Sequence, residues 1–262
     1  MNENNVYKVA VSSSKNDLLY RMFINKDLLE EVIKFHQSQL WLPLNLEDHT
    51  LNEWKDISHI NIIENPFNTT IIRLPISKQD NDIKSNLEQI SNLMNKAFKG
   101  DYRKSANYKL TNTNSILPLL LVFKENVLDN IKPGCYMYNS SNHSLTELQV
   151  WDKSNIESFQ DITSSKSLPS NTAFAYALDL RRATLDQGKR GYRNALIEVG
   201  TLIQKIKDIN KPIKNSKINF SEEMLTDFSD NALTYLCGLN TRLAPVVSVQ
   251  WFSLKGSGED FS

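Results

Sequence analysis

Glycine is scarce. Eight glycines in 262 residues is about 3%, where an average chain carries about 7%, and none occurs before Gly100. They stand at 100, 134, 188, 191, 200, 238, 256 and 258, so neither GxGxxG nor GxxxxGK[ST] can be written anywhere in the chain. The glycine-rich phosphate cradles of dinucleotide and NTP enzymes are therefore excluded, and any bound phosphate must be held by side chains and non-glycine backbone. Cysteine is scarcer still. Cys135 and Cys237 alone rule out a disulfide framework and a four-cysteine zinc site. Each sits in apolar company, which predicts a buried structural thiol and not a catalytic thiolate. His36, His49, His59 and His143 form no HxH or HxxxH pair, so no metal site is expected and each is read as a surface or hydrogen-bonded side chain. GxSxG is also missing, which argues against a nucleophile-elbow hydrolase.

Excess charge is lacking as well. Thirty basic residues balance thirty acidic ones, leaving nothing to hold a nucleic-acid backbone or an anionic membrane surface. No apolar run approaches the roughly 18 to 20 residues that span a bilayer, and the opening MNENNVYKVA lacks a basic start followed by an apolar stretch. The expectation is a soluble cytoplasmic protein.

What is present is a chain of short apolar segments with mixed periodicity. KDLLEEVIKFHQSQ after Asn25 has an apolar face at helical spacing, and Trp41 to Phe67, with Pro43 and Pro66, reads as an irregular covering segment. Asn68 to Ile76 is β-branched and ends in a strand or extended turn at Pro75. Residues 83–98 place Ile83, Leu87, Ile90, Leu93, Met94 and Ala97 on one helical side, closed by Gly100. After a polar stretch from Asp101 to Asn114, SILPLLLVF predicts a buried strand. PGCYMYNSSNHSLTEL predicts a hairpin turning near Asn139 to His143. Residues 149–170 are mixed and serine-rich, and AFAYALDL is another buried strand.

Gly188 to Asp208 predicts a long buried helix, followed by Lys205, Lys207, Lys211 and Lys214 at the surface. A short helix is expected from Ser221, with Glu222 and Glu223 in its first turn. APVVSVQWF is the last strand, and the tail from residue 255 is expected to be disordered. Strands and helices without strict βαβ alternation argue the α+β class. The organisation expected is a covering segment over 1–82 and a core over 83–254.

Arg181, Arg182, Lys189, Arg190 and Arg193 form the dense basic group of the chain, with Tyr192 among them. Arginines at a helix start oppose the macrodipole, so they call for a partner: a carboxylate of the fold such as Glu198, or a phosphate.

These residues carry a resemblance. GKRGYRNALIEVG resembles the helix signature of the SagB/McbC-type dehydrogenases, with Gly188, Arg190, Gly191, Tyr192, Arg193, Ala195, Leu196, Glu198 and Gly200 in the matching places. PGCYMYNSSNHSLTEL is similar to that family's P-G-x-Y-x-Y segment with its following histidine. FSDNALTYLCGL and APVVSVQWF are similar to its C-terminal helix and last strand, and FHQSQL to its early FH element. The resemblance implies a nitroreductase-like α+β fold, with a mixed or antiparallel sheet flanked by helices around a long buried one. It also implies FMN at the interface of a homodimer, and oxidation of thiazoline and oxazoline rings in ribosomal peptides alongside cyclodehydratase subunits acting on a precursor peptide.

Departures from the family pattern fall on its functional positions. The Lys-Tyr pair that handles protons is replaced by Asp186 and Gln187, leaving Asp186 as the candidate catalytic group. The glycine-containing flavin loop falls on Asn112, Thr113, Asn114 and Ser115, where side chains crowd the backbone. The N-terminal arginine set is reduced to Arg73, with Ser77 and Lys78 nearby; Arg190 and Arg193 join it as candidate FMN-phosphate ligands. Three readings follow: a catalytically degenerate subunit, pairing with itself or with a related dehydrogenase; an active FMN-dependent azoline dehydrogenase; and another ligand or reaction housed in the pocket altered at Asn112 to Ser115 and Asp186.

Overall fold

The computed structural model describes residues 62–64, 70–75, 85–98, 115–165, 167–185, 189–211 and 218–254, all within one compact unit, Leu46–Ser262. The helix expected after Asn25 and the tail from residue 255 lie outside the described residues, as does most of the 41–67 stretch.

Seven strands build the sheet: β1 (Ile71–Arg73), β2 (Ile116–Val122), β3 (Gly134–Asn139), β4 (Ser144–Val150), β5 (Thr172–Leu178), β6 (Ile218–Leu225) and β7 (Val246–Leu254). Their order is β1-β4-β3-β2-β5-β7-β6, and every neighbouring pair is antiparallel. Five helices accompany them among the described residues: α1 (Asn86–Phe98), α2 (Lys153–Ile162), α3 (Leu180–Leu185), α4 (Lys189–Asn210) and α5 (Asp230–Leu236). The fold is α+β.

Strand chemistry decides which helices lie where. In β5 the sequence TAFAYAL alternates small and large residues. Ala173, Ala175 and Ala177 point to one face, while Phe174, Tyr176 and Leu178 point to the other. The large side packs under α1 and α4, against Ile90, Leu93, Val199, Leu202 and Ile203. The alanine side leaves room for Trp251, whose Cα pairs with that of Ala173, and is covered by Phe159 of α2 and Leu233 and Leu236 of α5. β2 is buried along its whole length because helices cover both faces; each fully buried leucine there stabilises by roughly 1.5–3 kcal/mol.

Caps set the helix starts. Ser85 Oγ accepts the Glu88 amide while Glu88 Oε2 accepts the Ser85 amide, at 3.2 and 3.3 Å, a reciprocal box that starts α1. Asp152 and Asn155 do the same for α2. That box marks a helix the sequence reading left inside a mixed stretch.

Two further expectations are corrected. Ser221 begins no helix; it lies in strand β6. The acidic pair suggested a first turn, but Ile218 and Phe220 already alternate towards the core, and the edge of β7 supplies backbone partners. Lys205 is not at the surface: its side chain is buried and Nζ donates to the Ala97 carbonyl at 2.9 Å, closing the C-terminal end of α1. The long helix expected from Gly188 is α4, buried along one face through Gly191, Ala195, Glu198, Val199 and Leu202 among others, while Ile197 is 63% exposed on the outer side.

Candidate functional site

Pro118 sits in the middle of a central strand, where a residue without an N–H is rare. Its consequence is visible in the ladders. Pairing of β2 with β5 runs the full strand, from Ile116↔Leu178 to Val122↔Thr172. Pairing with β3 begins only at Leu119↔Met137. Where that ladder stops, a cleft of about 170 Å³ opens, walled by Phe98 at the end of α1, residues 116–118 of β2, the end of β3 and its turn from Met137 to Ser141, and Arg182 of α3. The wall combines apolar side chains with hydroxyl, amide and guanidinium groups.

Asp179, fully buried immediately after β5, organises the basic side. Its carboxylate accepts the Arg181 and Arg182 amides at 3.1 and 3.4 Å, capping α3, and takes the Arg181 guanidinium through Nε and Nη2, both at 3.2 Å. Arg182 Nε lies 3.5 Å from its other oxygen. The basic cluster thus has a fold carboxylate as partner for its first two members, and that carboxylate is Asp179, which sequence reasoning passed over. The signal was there: an aspartate directly ahead of a helix start.

Behind the cleft, Tyr138 is joined to the rest of the fold through His143. His143 Nδ1 lies 2.9 Å from the Tyr138 hydroxyl, and Nε2 lies 2.8 Å from Ser91 Oγ of α1. Ser91 in turn donates to the Pro75 carbonyl. The turn residue His143 has φ 53°, and its carbonyl accepts the Leu74 amide at 3.1 Å. One buried imidazole therefore ties the hairpin, α1 and the segment after β1 together. As read from sequence, it is a hydrogen-bonded histidine.

The described candidate cofactor residues lie on different elements. Because Ile72 packs into the core under α1 and α4, its neighbour Arg73 points to the opposite face of edge strand β1 and is exposed. Arg190 and Arg193 are half-buried at the start of α4. Ser115 is buried, and its carbonyl accepts the Asp179 amide at 2.8 Å. Asn112, Thr113, Asn114 and Asp186 lie outside the described residues. The cleft is smaller than the roughly 300–1,000 Å³ of pockets that enclose drug-sized ligands, and its guanidinium shares Asp179.

Two buried groups show how the interior treats charge. Burial holds Lys205 down from 10.5 to about 8. Burial, and then the hydrogen-bonded Cys237 thiol, push the Cys135 thiol well above its ordinary value. Both cysteines are wholly buried, so they are inert structural thiols, as their apolar neighbours predicted.

No protein-family model and no curated protein matches this sequence. Solved structures do. A provisionally assigned nitroreductase from Anabaena variabilis aligns with a TM-score of 0.57 at 14% identity over 84% of this chain, which spans only 45% of that one. A chain of the E. coli microcin synthetase McbBCD complex with truncated pro-MccB17 bound aligns at 0.53 and 18% identity, over 90% of this chain and 96% of that one. A provisionally assigned nitroreductase from Ralstonia eutropha aligns at 0.51 and 12% identity, over 71% of this chain and 90% of that one. The fold is nitroreductase-like, as the sequence resemblance implied. Among the described residues no helix is long and apolar enough to cross a membrane.

Proposed function

We propose that this chain is a catalytically degenerate, flavin-poor subunit in the maturation of ribosomally made peptides. It pairs with itself or with a related dehydrogenase, and works beside cyclodehydratase subunits on a precursor peptide in the cytoplasm. The observation that carries the proposal is the near end-to-end alignment with a chain of the microcin synthetase complex, 90% of one and 96% of the other, joined to a cleft whose arginine is tied to Asp179. A scaffold that aligns over 90% of this chain, with Arg181 and Arg182 engaged by Asp179, suits assembly better than flavin chemistry.

The outer face of α4 supports an assembly role. Leu196 and Ile197 are exposed there, and a Cβ added at Gly200 would meet nothing within 4 Å.

The competing reading, an active FMN-dependent azoline dehydrogenase, draws on the intact helix motif from Gly188 to Gly200. Purification of the full chain with added FMN separates the two. The degenerate reading expects colourless protein that co-elutes with its partner subunits or precursor peptide. A yellow protein that oxidises a thiazoline peptide alone overturns it.

A further inference from the structure

An assembly subunit pairs either with itself or with another protein, and the outer side of α4 discriminates between the two. We propose that this side docks a helix of a different protein, one with an apolar centre and acidic residues towards both of its ends. The inference rests on the assembly reading and adds to it the chemistry of the partner.

Helical steps of three and four lay out the surface. Arg190, Arg193, Ile197, Gly200, Gln204, Lys207 and Lys211 follow one another along the side of the helix away from the sheet. Ala195, Val199, Leu202 and Ile206 occupy the opposite, buried side. At the middle of the row Ile197 is 63% exposed and its neighbour Leu196 38% exposed. Beside them Gly200 leaves a notch, since a Cβ there would meet nothing within 4 Å, and a notch between side chains is what a facing helix fills with one of its own.

The ends of the row carry charge of one sign. Arg190 and Arg193 stand at the first end, Lys207 and Lys211 at the second, and Asp208 is the carboxylate among them. Asp208 already accepts Gln204 Nε2 and Lys211 Nζ, both at 3.0 Å. Arg190 and Lys207 also interact within the fold, so what the row offers is a net positive potential and not a set of vacant donors.

That potential opposes self-pairing. With two copies of α4 antiparallel about Gly200, Lys211 falls opposite Lys189, and Lys207 opposite Arg193; with two copies parallel, each cation meets its own counterpart. Both arrangements set like charges against each other. An acidic helix reverses the sign at both ends while its apolar centre removes Leu196 and Ile197 from water. The 22 residues of α4 make a surface about 33 Å long. An anionic membrane suits it less well, because Leu196 and Ile197 are its exposed large apolar residues and a helix lying in the headgroup boundary buries a whole apolar face.

The test uses the full-length protein and two fluorescein-labelled helical peptides of about 20 residues. They share a leucine-rich centre and differ in carrying glutamates or lysines in their first and last turns. Fluorescence anisotropy is expected to show the glutamate peptide binding roughly tenfold or more tighter than the lysine peptide at low salt, with the difference shrinking as salt is added. Ile197→Ala, at an exposed position, should weaken binding of the glutamate peptide about fivefold, and Arg193→Glu about threefold, with far-UV circular dichroism unchanged.

No binding of the glutamate peptide by wild type, or equal binding of both peptides, overturns the proposal. Undiminished binding by Ile197→Ala does the same. So does wild-type self-association in analytical ultracentrifugation that Ile197→Ala abolishes, and so does tighter binding to phosphatidylcholine vesicles containing phosphatidylserine than to the glutamate peptide. Flavin colour and thiazoline turnover are read without either peptide, so failure of the docking surface is distinct from failure of the degenerate-subunit reading.

Discussion

Beneath α2 and α5 the sheet meets Phe123, Trp151, Phe159 and Trp251, whose rings contact one another at 4.8 to 5.9 Å. The indole of Trp151 donates to the Leu236 carbonyl at 3.0 Å. Beneath α1 and α4 the same strands carry polar groups into the interior. The Tyr176 hydroxyl donates to Gln250 Oε1 at 2.7 Å, while Gln250 Nε2 and Ser248 Oγ, both buried, have no partner among the described residues. His143, Ser91, Glu198 and Lys205 are buried on that side too. One face is an aromatic clamp that stabilises. The other accepts the cost of buried polar groups, and the cleft lies at its end.

The comparison breaks most directly at Phe159. Phe159→Ala removes the ring that touches three other aromatics and should cost about 3–5 kcal/mol, read from urea unfolding; a loss below 1 kcal/mol would mean the clamp is not the stabilising face. On the polar face, Gln250→Leu alone leaves the Tyr176 hydroxyl without its acceptor and should cost about 1–3 kcal/mol. The double variant Tyr176→Phe/Gln250→Leu should return close to wild type, because both partners are then apolar. If the double variant loses as much as the two singles summed, the pair is not an isolated unit.

Lys205 sharpens the contrast through pH. Its value is about 8 in the fold against 10.5 outside it, so between these limits the unfolded chain binds more protons. The Lys205 contribution to stability then rises with pH across that window, by at most about 3 kcal/mol, while the raised Cys135 thiol contributes in the opposite sense. Lys205→Met should flatten the rise in thermal unfolding scans taken from pH 8 to 10.5.

The smallest effect concerns the outer side of α4. Gly200→Ala should raise stability by about 0.5–1 kcal/mol, since the new Cβ meets open space. If a partner docks there, the same change should weaken association in analytical ultracentrifugation while the isolated chain melts higher.

Periodicity was enough for the elements with strong internal pattern. The run ILPLLLV, the hairpin around Asn139 to His143 and the 22-residue α4 all lie where their apolar spacing put them. It was insufficient where a local signal competed with a tertiary one. Glu222 and Glu223 resemble a helix start, yet the free edge of β7 recruited the segment as β6. Lys205 belongs to a polar run in sequence, but it faces the end of a helix 108 residues away.

The site was legible only in pieces. The basic cluster stood out, whereas its carboxylate Asp179 did not. Pro118 was visible as a proline inside an apolar run, but that it would end one ladder and spare the other depends on which edge faces β3. Arg73, read as a phosphate ligand, stands exposed on edge strand β1.

By itself the sequence determined the class of fold, the strands and helices of strong internal period, and the absence of glycine-rich phosphate loops, because apolar period and backbone-permissive residues are local properties of a chain. The tertiary structure alone decided that Ser91 and His143, 52 positions apart, would share a hydrogen bond, and that one edge of β2 would open into a cleft. Side chains distant in sequence meet only where sheet register and helix docking bring them together, and no window of residues contains that information.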